Sequence, residues 1–262
     1  WLEVIEEKGL FFTARDLAQS FYDNVPYGPG EYGYFKKNYG RGIYPPLSGT
    51  YNNRYYENGM GCPIRSEIWA CLAPGHPEIA VKYAREDAIC DHAHEGMYAE
   101  IFCAALQSAA FVETDREKLM TAALSYIPND CAIARVAATV KECYENGTDW
   151  KQARKLILQK FPGSFGLLQE TSPWGVTTGP LCDDEPAGPL GYDAPSNIGI
   201  MLLGWYYGEG DFSKSICIAA GCCEDGDCTA GTLGAALGIL PGTAGDRRQF
   251  IEIQFLILHT HY

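Results

Sequence analysis

Apolar side chains recur every three to four positions along much of the chain. The clearest stretch is Ala132, Ile133, Val136, Ala137, Val140 and Cys143, stopped by Asn146-Gly147. That spacing puts one apolar stripe on a helix over residues 130–145. A further amphipathic helix is expected from Trp150 to Phe161, ended by Pro162-Gly163. Upstream, Pro77 marks a helix start, with Ile79, Val81, Tyr83 and Ala84 leading to Ile89. Ile64, Trp69 and Leu72 suggest a short helix before Pro74-Gly75. Residues 97–112 are apolar on most sides and predict a buried helix, and Asp115 is placed to cap the next one. Residues 1–25 read as two short helices divided by Gly9. Thr13 and Asp16 form a capping-box start for the second. Helices resume at 196–207 and 211–220. No period-two alternation is long enough for a sheet, and no fixed-length repeat is present. The expected architecture is all-α, a single domain over residues 1–262.

Two stretches interrupt the helical pattern. Residues 26–61 interleave Tyr27, Tyr32, Tyr34, Phe35, Tyr39, Tyr44, Tyr51, Tyr55 and Tyr56 with Gly, Pro and Asn. This composition predicts an ordered aromatic loop, either functional or a lid packed on its own scaffold. Residues 163–194, with Asp183-Asp184-Glu185, read as an irregular surface excursion.

Charge and cysteine usage narrow the function classes. A formal net charge of −13 over 262 residues argues against binding nucleic acid through phosphates. The eleven cysteines are odd in number and lie in apolar helical patterns, as buried thiols of a reducing cytoplasm do. No Cys-x-x-Cys pair occurs, which disfavours structural zinc. No apolar run approaches the roughly 18 residues of a membrane span. The first residue, Trp1, falls inside a helical pattern, so a preceding segment is expected.

Candidate chemistry concentrates in three places. The richest is Cys222-Cys223-Glu224-Asp225-Gly226-Asp227-Cys228-Thr229, which leads into a helix with Ala230, Gly234 and Gly238 at every fourth position. Such a small-residue stripe predicts close backbone packing around a buried central helix. Asp at a helix start serves as an N-cap, yet two adjacent carboxylates also suit a hard divalent cation. An EF-hand is excluded, because counting from Asp225 the sixth residue is Ala230 and the twelfth is Ala236. The second place is Asp91-His92-Ala93-His94-Glu95, in a break between helices. Residues two apart do not share a helix face, so a transition-metal pair is disfavoured relative to a substrate contact or a cap. The third is Asn58-Gly59-Met60-Gly61-Cys62-Pro63-Ile64-Arg65. It is a Gly-rich run into a helix and could offer amides to a diphosphate, but it lacks the P-loop ending. No Gly-x-Ser-x-Gly elbow is present.

In this order, the three segments resemble the ADP-ribosylglycohydrolase family, also called the dinitrogenase-reductase-activating glycohydrolase family, over roughly residues 58–240. Gly59 to Arg65 matches its Gly-rich loop and Ile/Met-Arg helix start. His92 to Tyr98 matches its His-containing break, with His94 and Glu95 in place of Gly and Asn. Glu224 to Cys228 matches Gly-Asp-x-Asp-Ser/Thr. The resemblance implies a compact orthogonal helical fold and a binuclear Mg²⁺ site, Mn²⁺ in some members. The implied reaction is hydrolysis of the glycosidic bond at C1″ of an ADP-ribose-type molecule or ADP-ribosylated substrate. Asp225 and Asp227 would be metal ligands, with Cys228 at the Ser/Thr ligand position and Thr229 as its substitute. Gly59, Gly61, Arg65, His92, Gly96 and Tyr98 would border the substrate. The family's Thr/Ser-Asp-Asp ligands and its catalytic acid lie upstream of anything present here, so no catalytic residue is assigned. A thiol at position 228 is a poor ligand for a hard cation. Both departures leave open a non-catalytic protein that keeps the fold.

Overall fold

The computed structural model describes residues 1–161 and 191–240. Among them are thirteen α-helices and no strand, only one isolated antiparallel bridge between Gly59 and Asp193. The predicted excursion at 163–194 lies almost wholly outside the described residues. The first half contains α1 (Leu2–Lys8), α2 (Ala14–Asn24), α3 (Gly30–Tyr39), α4 (Leu47–Thr50), α5 (Ser66–Leu72), α6 (Pro77–Ala88) and α7 (His94–Ala110). The second contains α8 (Arg116–Leu124), α9 (Ala132–Glu145), α10 (Trp150–Lys160), α11 (Ala194–Tyr207), α12 (Phe212–Gly221) and α13 (Gly226–Ile239).

Local signals set most helix ends. Thr13 and Asp16 make the expected capping box at α2, and Asp115 accepts from the Glu117 and Lys118 amides at α8. Asp149 and Asp211 cap α10 and α12 in the same way. Gly147, with φ 69°, turns the chain after α9. Each such cap is worth about 1 kcal/mol.

The centre of the fold is α7, which packs against α5, α6, α8, α9, α11 and α13. Thirteen of its residues are buried, Glu100 and Gln107 included. One apolar cluster gathers α7 to α13, and a second gathers α1, α2, α3, α5 and α6. Met97 packs against both.

Four expectations are corrected. The central helix is α7 and not α13, which leaves Gly231 and Gly238 exposed. The small-residue stripe is not a close approach either. A Cβ on Gly234 would sit at an ordinary 3.5 Å from Ile216, and on the same helix one on Gly231, outside the stripe, would meet nothing within 4 Å. The close approach is on α11, where a Cβ on Gly204 would lie 2.6 Å from the Ser215 carbonyl and collide with Leu233. Residues 26–61 are not one loop, since α3 and α4 lie inside them. Finally, α7 starts at His94 and not at 97, because His94 takes a left-handed φ of 44° and lets the helix begin directly after the break.

Candidate functional site

The turn between α12 and α13 places the acidic pair. Cys223 and Glu224 both adopt left-handed backbone, φ 60° and 59°, a conformation that costs non-glycine residues about 1 kcal/mol or more each. Neighbours hold it. Arg154 Nε donates to the Cys222 carbonyl at 2.8 Å, and its guanidinium lies 3.6 Å from the Glu224 carboxylate. Asn197 Oδ1 accepts from the Asp225 amide at 3.1 Å, while its Nδ2 donates to the Gly191 and Asp193 carbonyls, both at 2.9 Å. Asp225 stands at the N-cap of α13 but makes no side-chain cap bond. Instead, ligand atoms of Asp225, Asp227 and Cys228 lie within 4.8 Å of one another, the one such group of three among the described residues.

Electrostatics distinguish Asp225 from Cys228. Burial pushes Asp225 up to about 6; the Cys228 thiol pulls it down, and the charges of Asp227 and then Glu31 push it further up. Burial, followed by the Asp225 charge, drives the Cys228 thiol well above its ordinary value. Cys228 therefore stays a thiol that donates to Asp225. Thr229 is fully buried, and its hydroxyl donates to the Gly226 carbonyl of its own helix at 3.2 Å. The donor set thus fits a hard divalent cation through the two carboxylates, whose mutual repulsion such an ion would relieve, and fits it poorly through sulfur.

A second cluster holds a buried imidazole. Asp87 lies in the last turn of α6 and Asp91 in the turn that follows it, and both face Arg65. The guanidinium grips Asp91 with two 2.9 Å bonds and lies 3.0 Å from Asp87. Asp87 also accepts from the indoles of Trp1 and Trp69. Arg65 and His92 hold the Asp91 carboxyl well below the usual carboxylate range in spite of burial. The ionised Asp91 accepts a hydrogen bond from His92 Nδ1 at 2.7 Å, which turns Nε2 outward from the pair. That Nε2 is buried and has no hydrogen-bond partner.

Glycines surround the ring. A Cβ on Gly61 would lie 3.0 Å from His92 Cε1, one on Gly96 3.2 Å from Cδ2, and one on Gly59 3.6 Å from Nε2. The tyrosine-rich segment straps the backbone behind His92. Ser48 donates to the Cys90 carbonyl at 2.7 Å, and Asn53 to the Asp91 carbonyl at 2.8 Å. The rings of Tyr56 and Tyr192 stack at 5.6 Å, where Met60 N donates to the Tyr192 carbonyl and Ala194 N to that of Asn58.

Several sequence candidates occupy other places. Arg65 is engaged with Asp87 and Asp91 and so builds the wall behind His92. The amides of Gly59, Met60, Ile64 and Arg65 already donate to backbone carbonyls, which leaves little of that loop for a diphosphate. Gly96 is where α7 passes the Glu57 and Gly59 carbonyls. Tyr98 is half-buried against the main core. His92 is buried while His94 is exposed, so the two do not act together. Glu95 accepts from the Ala132 and Ile133 amides and caps α9. The residue that sequence reading missed is Glu31, in the first turn of α3. Its carboxylate lies where a Cβ on Gly61 would be. No local motif marks it, because only the tertiary fold brings α3 to Gly61.

Fold and site together define an all-α protein with an acidic cluster at a helix start and a buried, carboxylate-oriented histidine. The chain belongs to the ADP-ribosylglycohydrolase family, whose model matches residues 1–252. No curated protein and no solved structure matches it. The family is one of glycohydrolases acting on ADP-ribose-type linkages. No described helix is long and apolar enough to cross a membrane, and each cysteine among the described residues is free.

Proposed function

We propose that the protein hydrolyses an ADP-ribosyl or related nucleoside glycosidic bond with the help of Mg²⁺ or Mn²⁺ held by Asp225 and Asp227. The observation that carries this is the convergence of Asp225, Asp227 and Cys228 within 4.8 Å in a chain of this family. When bound, the ion supplies Lewis acidity that polarises ribose hydroxyls and acidifies water. The chain's own groups supply position. His92, fixed through Nδ1 by Asp91, presents Nε2 to a ligand hydroxyl, and the glycines at 59, 61 and 96 leave room for the ring. Calorimetric titration of the protein with Mg²⁺ and ADP-ribose tests the reading, together with release assays on ADP-ribosyl-arginine and ADP-ribosyl-serine. Binding and release are expected; no binding of either component at millimolar concentration would sink it.

A non-catalytic reading has one observation in its favour, the Cys228 thiol that hydrogen-bonds Asp225 at the Ser/Thr ligand position. It predicts that Cys228→Thr gives no gain in release. A gain would remove it.

A further inference from the structure

We propose that Glu100 and Asp87 share one proton in the folded protein, and that Glu100 is thereby a positioning residue for His92. The inference rests on reading His92 as a ligand-facing group, and it adds a residue that no motif of the chain contains. Asp87, Asp91 and Glu100 are all buried, Asp87 and Glu100 completely. The indole of Trp69 ties two of them together, since its Nε1 lies 3.0 Å from Asp87 Oδ2 and 3.0 Å from Glu100 Oε1. Arg65 binds Asp87 at 3.0 Å and Asp91 at 2.9 Å. One guanidinium thus stands against three carboxylates, and a buried carboxyl in excess takes up a proton. Glu100 Oε2 is buried and meets no donor. An ionised oxygen does not tolerate that place, whereas an acid O–H facing Asp87 resolves it.

The surroundings agree. Burial, followed by the Asp87 charge, holds the Glu100 carboxyl well above the usual range against the pull of Arg65. The proton belongs to the pair rather than to either oxygen. The thiols of Cys62, Cys90 and Cys103 also face this carboxyl, and burial raises each of them, so they add no compensating charge. Glu67, which faces Cys103, is raised by burial as well. The consequence for His92 runs through Arg65, whose Nη1 and Nη2 hold Asp91, which in turn orients the imidazole. A further full charge beside Asp87 would draw the guanidinium off Asp91; a shared proton leaves that grip intact.

The test compares the wild type with Glu100→Gln and Glu100→Leu. Glutamine keeps the size, an acceptor for Trp69 and a donor for Asp87, and needs no proton. A carboxyl that is protonated when folded and ionised when unfolded loses stability as pH rises. Above its ordinary value of 4.5, the folding constant of the wild type relative to Glu100→Gln is expected to fall about tenfold per pH unit. A level ratio would overturn the shared proton. Infrared spectra of ¹³C-glutamate-labelled protein at about pH 8 are expected to show a neutral carboxyl band that Glu100→Gln lacks. If Glu100→Gln does not fold, that band in the wild type carries the test, and its absence refutes the proposal. Imidazole ¹⁵N spectra report the positioning. The His92 signals of Glu100→Gln should superimpose on those of the wild type and those of Glu100→Leu should shift. Unshifted signals in Glu100→Leu would overturn the positioning role. None of these readouts uses substrate or metal, so a protein that shows them all yet releases no ADP-ribose overturns the hydrolase reading alone.

Discussion

At the scale of single residues, the balance of charge behind His92 is the most exacting feature. Arg65 sits between two buried carboxylates, with its side chain 15% exposed. Removing one partner of a buried ionic group leaves the other charges unpaired, which costs about 3–5 kcal/mol. Arg65→Met should lower the urea midpoint accordingly, far beyond what a lost surface charge would do. Glu67 offers a test of opposite sign. Burial pushes its carboxyl up to about 7, against the pull of backbone and Gln107 hydrogen bonds. A carboxyl raised in the folded state binds its proton more tightly there than in the unfolded chain. It therefore costs nothing below its unfolded value, and stability is lost as pH climbs from about 4.5 to 7. Glu67→Gln removes the charge and keeps the acceptor for Gln107. It should stabilise by on the order of 1–2 kcal/mol at pH 8, discounted for partial exposure, and by nearly nothing at pH 4. Denaturant titrations at the two pH values check this.

Among the helices, legibility followed the mechanism that forms each one. The amphipathic α9 and α10 and the capped α2 and α8 were plain in the sequence, because a stripe and a cap are local. The Gly- and Tyr-rich α3 carries neither signal, and it folds because Phe35 and Tyr39 are buried against α2 and their neighbours. The small-residue helix α13 misled for a related reason: glycine spacing shows where a side chain is absent but not what fills the room. Gly204 and Gly231 separate the two cases. Gly204→Ala drives a methyl into the Ser215 carbonyl and Leu233 and should cost about 1–3 kcal/mol. Gly231→Ala meets empty space and should gain about 0.5–1 kcal/mol from helix propensity. Melting temperatures shifted in opposite directions are the expected result.

For the molecule as a whole, a cation that bridges carboxylates of the folded state must stabilise it. At a hundred times its dissociation constant, Mg²⁺ should add about 2.7 kcal/mol, seen as a melting-temperature rise of roughly 5–10 °C. The rise should vanish in Asp225→Asn and should not be reproduced by NaCl at equal ionic strength. The clustering of Asp225 and Asp227 was legible in the sequence, since Asp-x-Asp before a helix is contiguous. The approach of Glu31 and the orphaned face of His92 were invisible, because they arise from contacts between distant segments. The glycines around His92 also shape how this site responds to substitution. A saturation scan would mark Gly59, Gly61 and Gly96 as intolerant although none carries a functional group, and alanine at 61 would read as a defect in chemistry when it displaces Glu31. Sequence drift is thereby held by volume, so a new specificity is reached most readily through the side chains that face the glycines.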